Sequence, residues 1–328
     1  MTDTSKTLQG SLYNASQAAD KLLSGGVVVF PTETVYGLGA CIRFPEAVVR
    51  IYEIKGRPTF NPLICHISAV EQLDELAQSV PDSARKLMDA FWPGPLTLVL
   101  DKRDSVNPIV TGGLEQVAVR WPKHPIAQKM ISEVGHPIAA PSANVSGRLS
   151  PTRLEHAWLQ LGSLVDGYVE GGVAEAGLES TVIGWEDDHP VLLRLGALEV
   201  ETIEKCLGHK IKTPASDQIK SPGQLLKHYS PLKPIEWEKP KATDEYSECV
   251  LLTLQELPTD RARYQSVHAL SQQGDLRTAA SQFFEVLHRL DDSSARKIIA
   301  RPLPPQGLGN AMNDRLHRAI LSSQSLHR

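Results

Sequence analysis

Cysteine is scarce in this chain. Its 328 residues hold four, Cys41, Cys65, Cys206 and Cys249, far apart and without a Cys-x-x-Cys pair. That argues against a disulfide scaffold and a structural zinc site, and fits a reducing cytoplasm. No apolar run approaches the roughly 18 residues that span a bilayer. Residues 1–10 are polar with no apolar core, so no secretory signal is expected. Neither sign of charge dominates: 34 Lys and Arg against 38 Asp and Glu leave a net −4. A protein devoted to wrapping duplex nucleic acid would be more basic, although a local basic patch is permitted. Walker A, G-x-G-x-x-G after a strand, H-E-x-x-H and G-x-S-x-G are all missing. A nucleotide site must therefore be assembled from scattered loops. What is present, 41% hydrophobic and 22% charged residues, excludes a disordered chain.

The length suits two domains. Ala15, Ala18, Leu22 and Leu23 mark a helix face over residues 14–24 that stops at Gly25. A second helix opens at Pro45 and ends at Gly56. A third is marked by Leu87, Met88 and Phe91. Strands are expected at 26–30, 63–67, 96–100, 117–120, 137–140, 181–185 and 191–195. This mixture predicts an α/β domain on a large twisted sheet, over residues 1–206. Residues 207–234 are polar and broken by Pro214, Pro222, Pro231 and Pro234, which reads as a long linker. Beyond it, strands at 249–254, 267–270 and 297–300 alternate with helices near 275–290 and 309–322. Residues 235–328 are thus expected to form a small parallel, Rossmann-like α/β domain.

Chemistry concentrates in a few segments. Phe30-Pro-Thr-Glu-Thr-Val-Tyr-Gly-Leu-Gly39 leaves a strand for a turn rich in hydroxyls. Thr32, Thr34 and Tyr36 offer donors, and Gly37 and Gly39 would allow a ligand close to the backbone. A plain strand-loop connection explains the segment equally well. On the 45–56 helix, Lys55 continues the apolar stripe of Val48, Ile51 and Tyr52, and Arg57 follows at once. Two cations at one corner, one drawn inward, call for an anionic ligand; helix C-capping is the blander explanation. His66, on a strand, is more commonly a satisfied core residue than a catalyst. Arg120 ends a strand, where open α/β sheets place ligands, and its fork could grip a carboxylate. Ser142, Asn144 and Ser146 follow a strand end and could form an anion-binding nest, or an ordinary turn. Ser180 and Arg194 each stand at a strand end and say little alone.

Taken together, these segments resemble a known family. Pro31-Thr-Glu-Thr-Val-Tyr-Gly-Leu-Gly39, Lys55-x-Arg57 with Asn61-Pro62-Leu63, Ser142-x-Asn144, Glu179-Ser-Thr-Val182 and Leu193-Arg-Leu-Gly196 are similar to the YrdC-type domain of threonylcarbamoyl-AMP synthases. Ser221-Pro-Gly223, Lys227-His-Tyr-Ser-Pro231, Gly307-Leu-Gly309 and Asn313-Asp-Arg-Leu316 extend the resemblance into the linker and C-terminal domain of the long form. Between Gly223 and His228 the text departs: Gln224-Leu225-Leu226 stands where the family has methionine, a basic residue and an aromatic.

The resemblance implies a nucleotidyltransferase that joins L-threonine, bicarbonate or CO2, and ATP into a mixed anhydride with release of pyrophosphate. The product would go to the machinery that modifies tRNA beside the anticodon. Carried over by motif, Thr34, His66, Arg120, Ala140 and Ser180 line the threonine site. Lys55, Arg57, Asn61, Gln116, Ser142, Asn144, Ser150, Arg194 and Tyr229 hold ATP, with Lys55 and Arg57 closest to the chemistry. Mg2+ would ride on the ATP phosphates, with no cage from the protein alone. No membrane partner is expected, and weak RNA binding stays open. Residues 221–231 are expected to close over the cavity. A non-catalytic nucleic-acid module and an enzyme with another carbamoyl source are the rivals; the second would carry zinc-finger and acylphosphatase segments that this sequence lacks.

Overall fold

A computed structural model describes residues 12–212, 229–239, 246–257 and 260–326. Their strands form two sheets. The first contains β1 (Val28–Phe30), β2 (Gly37–Cys41), β3 (Ile64–His66), β4 (Leu96–Asp101), β5 (Gln116–Arg120), β6 (Ile138–Ala140), β7 (Gly167–Tyr168), β8 (Thr181–Glu186) and β9 (His189–Arg194). Their spatial order is β7-β1-β2-β6-β3-β5-β4-β8-β9, with parallel and antiparallel pairs. The second sheet, β10 (Ile235–Trp237), β11 (Cys249–Thr253), β12 (Ser266–Ala269) and β13 (Lys297–Ala300), runs β10-β13-β11-β12 and is parallel throughout. The expected α/β class, with a large mixed sheet followed by a small parallel one, is what the chain forms.

Helices cover the sheets. Those of the first are α1 (Ala15–Leu23), α2 (Pro45–Lys55), α3 (Asp82–Phe91), α4 (Pro108–Thr111), α5 (Pro125–Val134), α6 (Leu154–Leu161) and α7 (Val200–Leu207). Those of the second are α8 (Leu276–Asp291) and α9 (Leu308–Leu326). The α2 helix forms as its sequence dictates. Pro45 occupies the first turn, where no amide donor is needed, and Gly56 takes the left-handed conformation at φ 59° that ends it. Its buried stripe is Ala47, Val48, Ile51, Tyr52 and Lys55, so the lysine does point inward. In α1 the expected face is partly wrong: Ala15, Ala18, Ala19 and Leu22 are buried, whereas Leu23 is 43% exposed. At about 100° per residue, Leu23 falls outside the arc that Ala15, Ala18, Ala19 and Leu22 share.

The second core is shared between the two parts. Val35, Leu149 and Leu178 from the first part pack with Phe283, Phe284 and Leu287 of α8, Leu316 of α9, and Tyr229. Ion pairs Arg148–Asp291 at 3.3 Å and Arg153–Glu285 at 2.7 Å cross the same seam. The imidazoles of His156 and His288 stack there with centroids 3.8 Å apart. Of the expected linker, Lys212 bridges to Val191 on the first sheet and Tyr229 is fully buried. The Gln224-Leu225-Leu226 departure and most of the expected lid, 221–228, lie outside the described residues.

Candidate functional site

One cavity, with about 530 Å3 of empty space including its open mouth, gathers most of the residues singled out above. It lies where β3, β5 and β9 end, β8 begins, and the β1–β2 and post-β6 turns fold over. Strand register explains the convergence. His66 pairs with Arg120, Arg120 with Thr97, and Thr97 with Val182, which faces Arg194. Five strands thus bring these residues to one end of the sheet.

The expected threonine set, Thr34, His66, Arg120, Ala140 and Ser180, lines the cavity together. Arg120 is its hub. Nη1 donates to Thr34 Oγ1 at 2.7 Å and Nε to the Gly94 carbonyl at 3.3 Å. Nη2 stands 2.7 Å from Glu33 Oε1, with both side chains buried. That pair is close but poorly aligned, and Nη2 makes no hydrogen bond among the described residues. Glu33 Oε2 accepts from the Lys123 amide at 3.1 Å. The guanidinium is therefore already split among protein partners, so a ligand carboxylate would meet one edge of it, not an empty fork. Glu33, adjacent to Thr34, was missed in the sequence because its partner lies 87 positions away.

Ser180 Oγ lies 2.7 Å from Thr97 Oγ1 and accepts from Arg194 Nη2 at 3.1 Å. The Ser180 carbonyl accepts from Arg194 Nε and Nη2 at 3.1 and 2.8 Å. His66 is the neutral member. Its Nδ1 faces the Ile64 carbonyl at 3.1 Å, and its pKa is lowered to about 3, first by burial and then by the Arg120 charge. The folded state therefore favours the uncharged ring. Its contribution to stability is complete above the ordinary value near 6.5 and is lost as pH falls from there toward 3. Urea unfolding should show that His66→Gln loses about 2 kcal/mol less stability than the parent chain between roughly pH 7 and 4.5. Parallel losses in the two proteins would show that His66 is not held neutral.

Of the expected ATP set, Arg57, Ser142, Arg194 and Tyr229 line the same cavity. Arg57 is braced by the Asn61 side chain, with Nη2 donating to Asn61 Oδ1 at 2.6 Å, and by the Asn61 and Pro62 carbonyls. Burial, the largest influence, lowers its pKa to about 10, still far above neutrality. Asn61 Nδ2 is buried without a hydrogen-bond partner among the described residues. Such a donor is costly unless a ligand takes it up.

Lys55 is buried behind the wall and does not line the cavity. Its Nζ donates to the Ser142 carbonyl at 2.6 Å and to that of Asn144. Burial first, and Arg57 second, press its pKa well below the usual lysine value. Its inward pull is therefore met by two carbonyls, and it clamps the turn that carries Ser142. Asn144 Nδ2 ties the same turn to the Val145 and Arg148 carbonyls at 2.9 and 3.0 Å. Ser150 is buried and donates to Glu179 Oε1.

Besides the place of Lys55, two expectations change. Gln116 begins β5 opposite Asp101, about 13 Å from Arg120 at strand rise. It lines a separate depression with Trp185 and Asp187, so the structure does not bring it to the cavity. The second concerns Gly39. A Cβ there would stand 2.7 Å from the Phe30 ring and 2.8 Å from Ile138 Cγ2. Packing against Phe30, not approach of a ligand, requires that glycine. The cavity also takes Thr32, expected as a donor, and Glu179, which had no assigned place.

With this geometry in view, family profiles match nearly the whole chain. The Sua5/YciO/YrdC profile, described as telomere recombination, covers residues 20–196. The C-terminal domain profile of threonylcarbamoyl-AMP synthase covers residues 198–320. The chain is 42% identical to the threonylcarbamoyl-AMP synthase of Bacillus subtilis, across 93% of this chain and 92% of that protein. The chain belongs to the threonylcarbamoyl-AMP synthase family. The synthase of Pyrococcus abyssi is 40% identical, with 92% of each chain covered. The crystal structure of Pyrococcus abyssi Sua5 complexed with L-threonine superimposes with a TM-score of 0.85 at 38% identity, covering 94% of each chain. The chain is accordingly an enzyme of nucleotidyltransferase type, as the family resemblance implied.

Proposed function

We propose that this chain makes L-threonylcarbamoyladenylate from L-threonine, bicarbonate or CO2, and ATP, releasing pyrophosphate, in the cytoplasm. The product would serve the threonylcarbamoylation of tRNA. The observation that carries the reading is that one cavity joins an amino-acid-sized group of donors to two further buried cations, Arg57 and Arg194.

The threonine carboxylate suits Arg120 Nη2, whose hydrogens are buried beside Glu33 without an aligned acceptor. The threonine hydroxyl suits the Thr34 and Ser180 hydroxyls. The triphosphate suits Arg57, Arg194 and the Ser142 turn, with Asn61 Nδ2 as a further donor. Mg2+ would enter on the ATP phosphates and neutralise part of their charge. Glu179, in the cavity wall, pairs with Arg315, and Glu33, behind Arg120, pairs with Arg120, so both carboxylates already have cationic partners.

The threonine amine adds to CO2 and gives up a proton to water, forming a carbamate. A carbamate oxygen then attacks the α-phosphorus, and the bond to the β-phosphate oxygen breaks, so pyrophosphate leaves. The residues bind and align the reactants and spread the phosphate charge; neutral His66 is not required to move a proton. Tyr229 stands in the cavity wall and would help keep water from the anhydride.

Pyrophosphate release measured with each amino acid in turn tests the reading. Threonine and bicarbonate together should be needed, and release independent of either would overturn it. Arg120→Lys should raise the threonine KM about tenfold while the ATP KM moves less than about twofold, since lysine cannot serve Thr34, Gly94 and a carboxylate together. Equal shifts would assign Arg120 another partner.

A further inference from the structure

The largest fully buried side chain among the described residues comes from the C-terminal part. Arg315, on α9, is 1% exposed. Its Nε and Nη2 each lie 3.2 Å from Glu179 Oε2. Nη2 also donates to the Leu195 carbonyl at 2.7 Å, and Nη1 to Asp314 Oδ2 at 2.8 Å. The guanidinium carbon sits 5.1 Å from the centroid of the Tyr229 ring. One arginine thus touches a cavity carboxylate, the chain beside Arg194, and a cavity aromatic.

Glu179 and Arg194 are both in the cavity wall. Arg194 holds the carbonyl and hydroxyl of Ser180, the residue after Glu179. A buried carboxylate must be matched by a cation, because the uncompensated charge is strongly disfavoured. Arg315 supplies that match from behind the wall. Burial lowers the pKa of Arg194, and the charges of Glu179 and Arg315 act on it in opposite directions. Without Arg315, the neighbouring cation able to rebalance Glu179 is Arg194, which would have to turn away from the cavity.

We propose that Arg315 is a positioning residue: by neutralising Glu179 it keeps Arg194 directed at the anionic substrate, so the C-terminal part sets the charge of the catalytic cavity. This rests on the reading that the cavity takes the triphosphate of ATP. It gives α9 a task in catalysis without contact to substrate. It also accounts for the shared core, which holds Tyr229 and α9 against the wall.

The test is calorimetric binding of inorganic tripolyphosphate to the full chain and two variants. Arg315→Met should weaken binding at least about tenfold, because Arg194 is diverted. Adding Glu179→Gln to Arg315→Met removes the charge that diverts it and should restore binding to within about threefold of the parent. A merely packing role for Arg315 would not be repaired by changing Glu179. The proposal is overturned if Arg315→Met binds within about twofold of the parent, if the double variant binds no tighter than Arg315→Met, or if the parent does not bind tripolyphosphate. If Arg315→Met does not fold, the double variant decides: it carries no unmatched buried charge, so it should fold and bind, and failure in either overturns the proposal. If the binding pattern holds but the parent releases no pyrophosphate with threonine and bicarbonate, the reaction is misassigned while the role of Arg315 stands.

Discussion

Alanine at Arg57 is expected to lower kcat/KM for ATP by about ten- to hundredfold in a protein that still folds, whereas alanine at Lys55 should lower both activity and stability. A charge-assisted contact contributes roughly 1.5–3 kcal/mol, which sets the first figure. The two residues differ because of where they stand. Arg57 opens on the cavity, so water can replace it at the Asn61 and Pro62 carbonyls. Lys55 lies behind the Ser142–Asn144 turn and is 2% exposed. Removing it strands two buried carbonyls at about 1–3 kcal/mol each and frees the turn that carries Ser142. Steady-state kinetics with denaturant unfolding separates the cases. Full stability in Lys55→Ala would mean that the turn does not depend on the lysine.

Tyr229→Ala is expected to be the most damaging single change in the segment that leads into the second sheet. The ring is buried, lies 5.7 Å from that of Phe284, and faces Arg315. Deleting a buried aromatic costs about 3–5 kcal/mol. The residue also adopts φ 63°, a conformation that a bulky side chain takes only when its surroundings enforce it. Losing the ring removes that enforcement, so Ser230 should release its bond to the Gly147 carbonyl at 2.7 Å and the cavity wall should loosen. Unfolding free energy should fall by at least about 3 kcal/mol, with loss of ATP turnover. A change below about 1 kcal/mol would show that the ring is not what holds this segment.

The helices with a clear stop and a continuous stripe were legible in the sequence, α2 above all. The α5 helix was not read, although Ala127, Met130, Ile131 and Val134 are buried at helical spacing between Pro125 and Gly135; that signal was present and overlooked. The β2 strand was hidden for a physical reason. Its text, Gly37-Leu-Gly-Ala-Cys41, is poor in β-formers, and it is a strand because Phe30 and Ile138 occupy the space that side chains would need. The β10 strand is three residues long and, unlike β1, β3 and β6, has no apolar run around it to announce it. At the cavity, strand-end and turn residues could be named because motifs carry them locally. Their partners could not. Glu33 and Arg120 are separated by 87 positions, and Glu179 and Arg315 by 136; no local pattern announces such pairs.

The second of those separations bears on how the protein is made. A chain synthesised from its N-terminus presents the first sheet, complete through β9, well before α9 exists, and domains fold as they emerge. During that interval the carboxylate of Glu179 has no guanidinium from Arg315, and Val35, Leu149 and Leu178 have no second core to join. The early part must leave Glu179 in contact with water, with its wall open. Closing so long a loop also makes this contact one of the slower to form. The arrival of α9 is then an assembly checkpoint: until translation reaches Arg315, the growing chain has a sheet but no finished binding chamber.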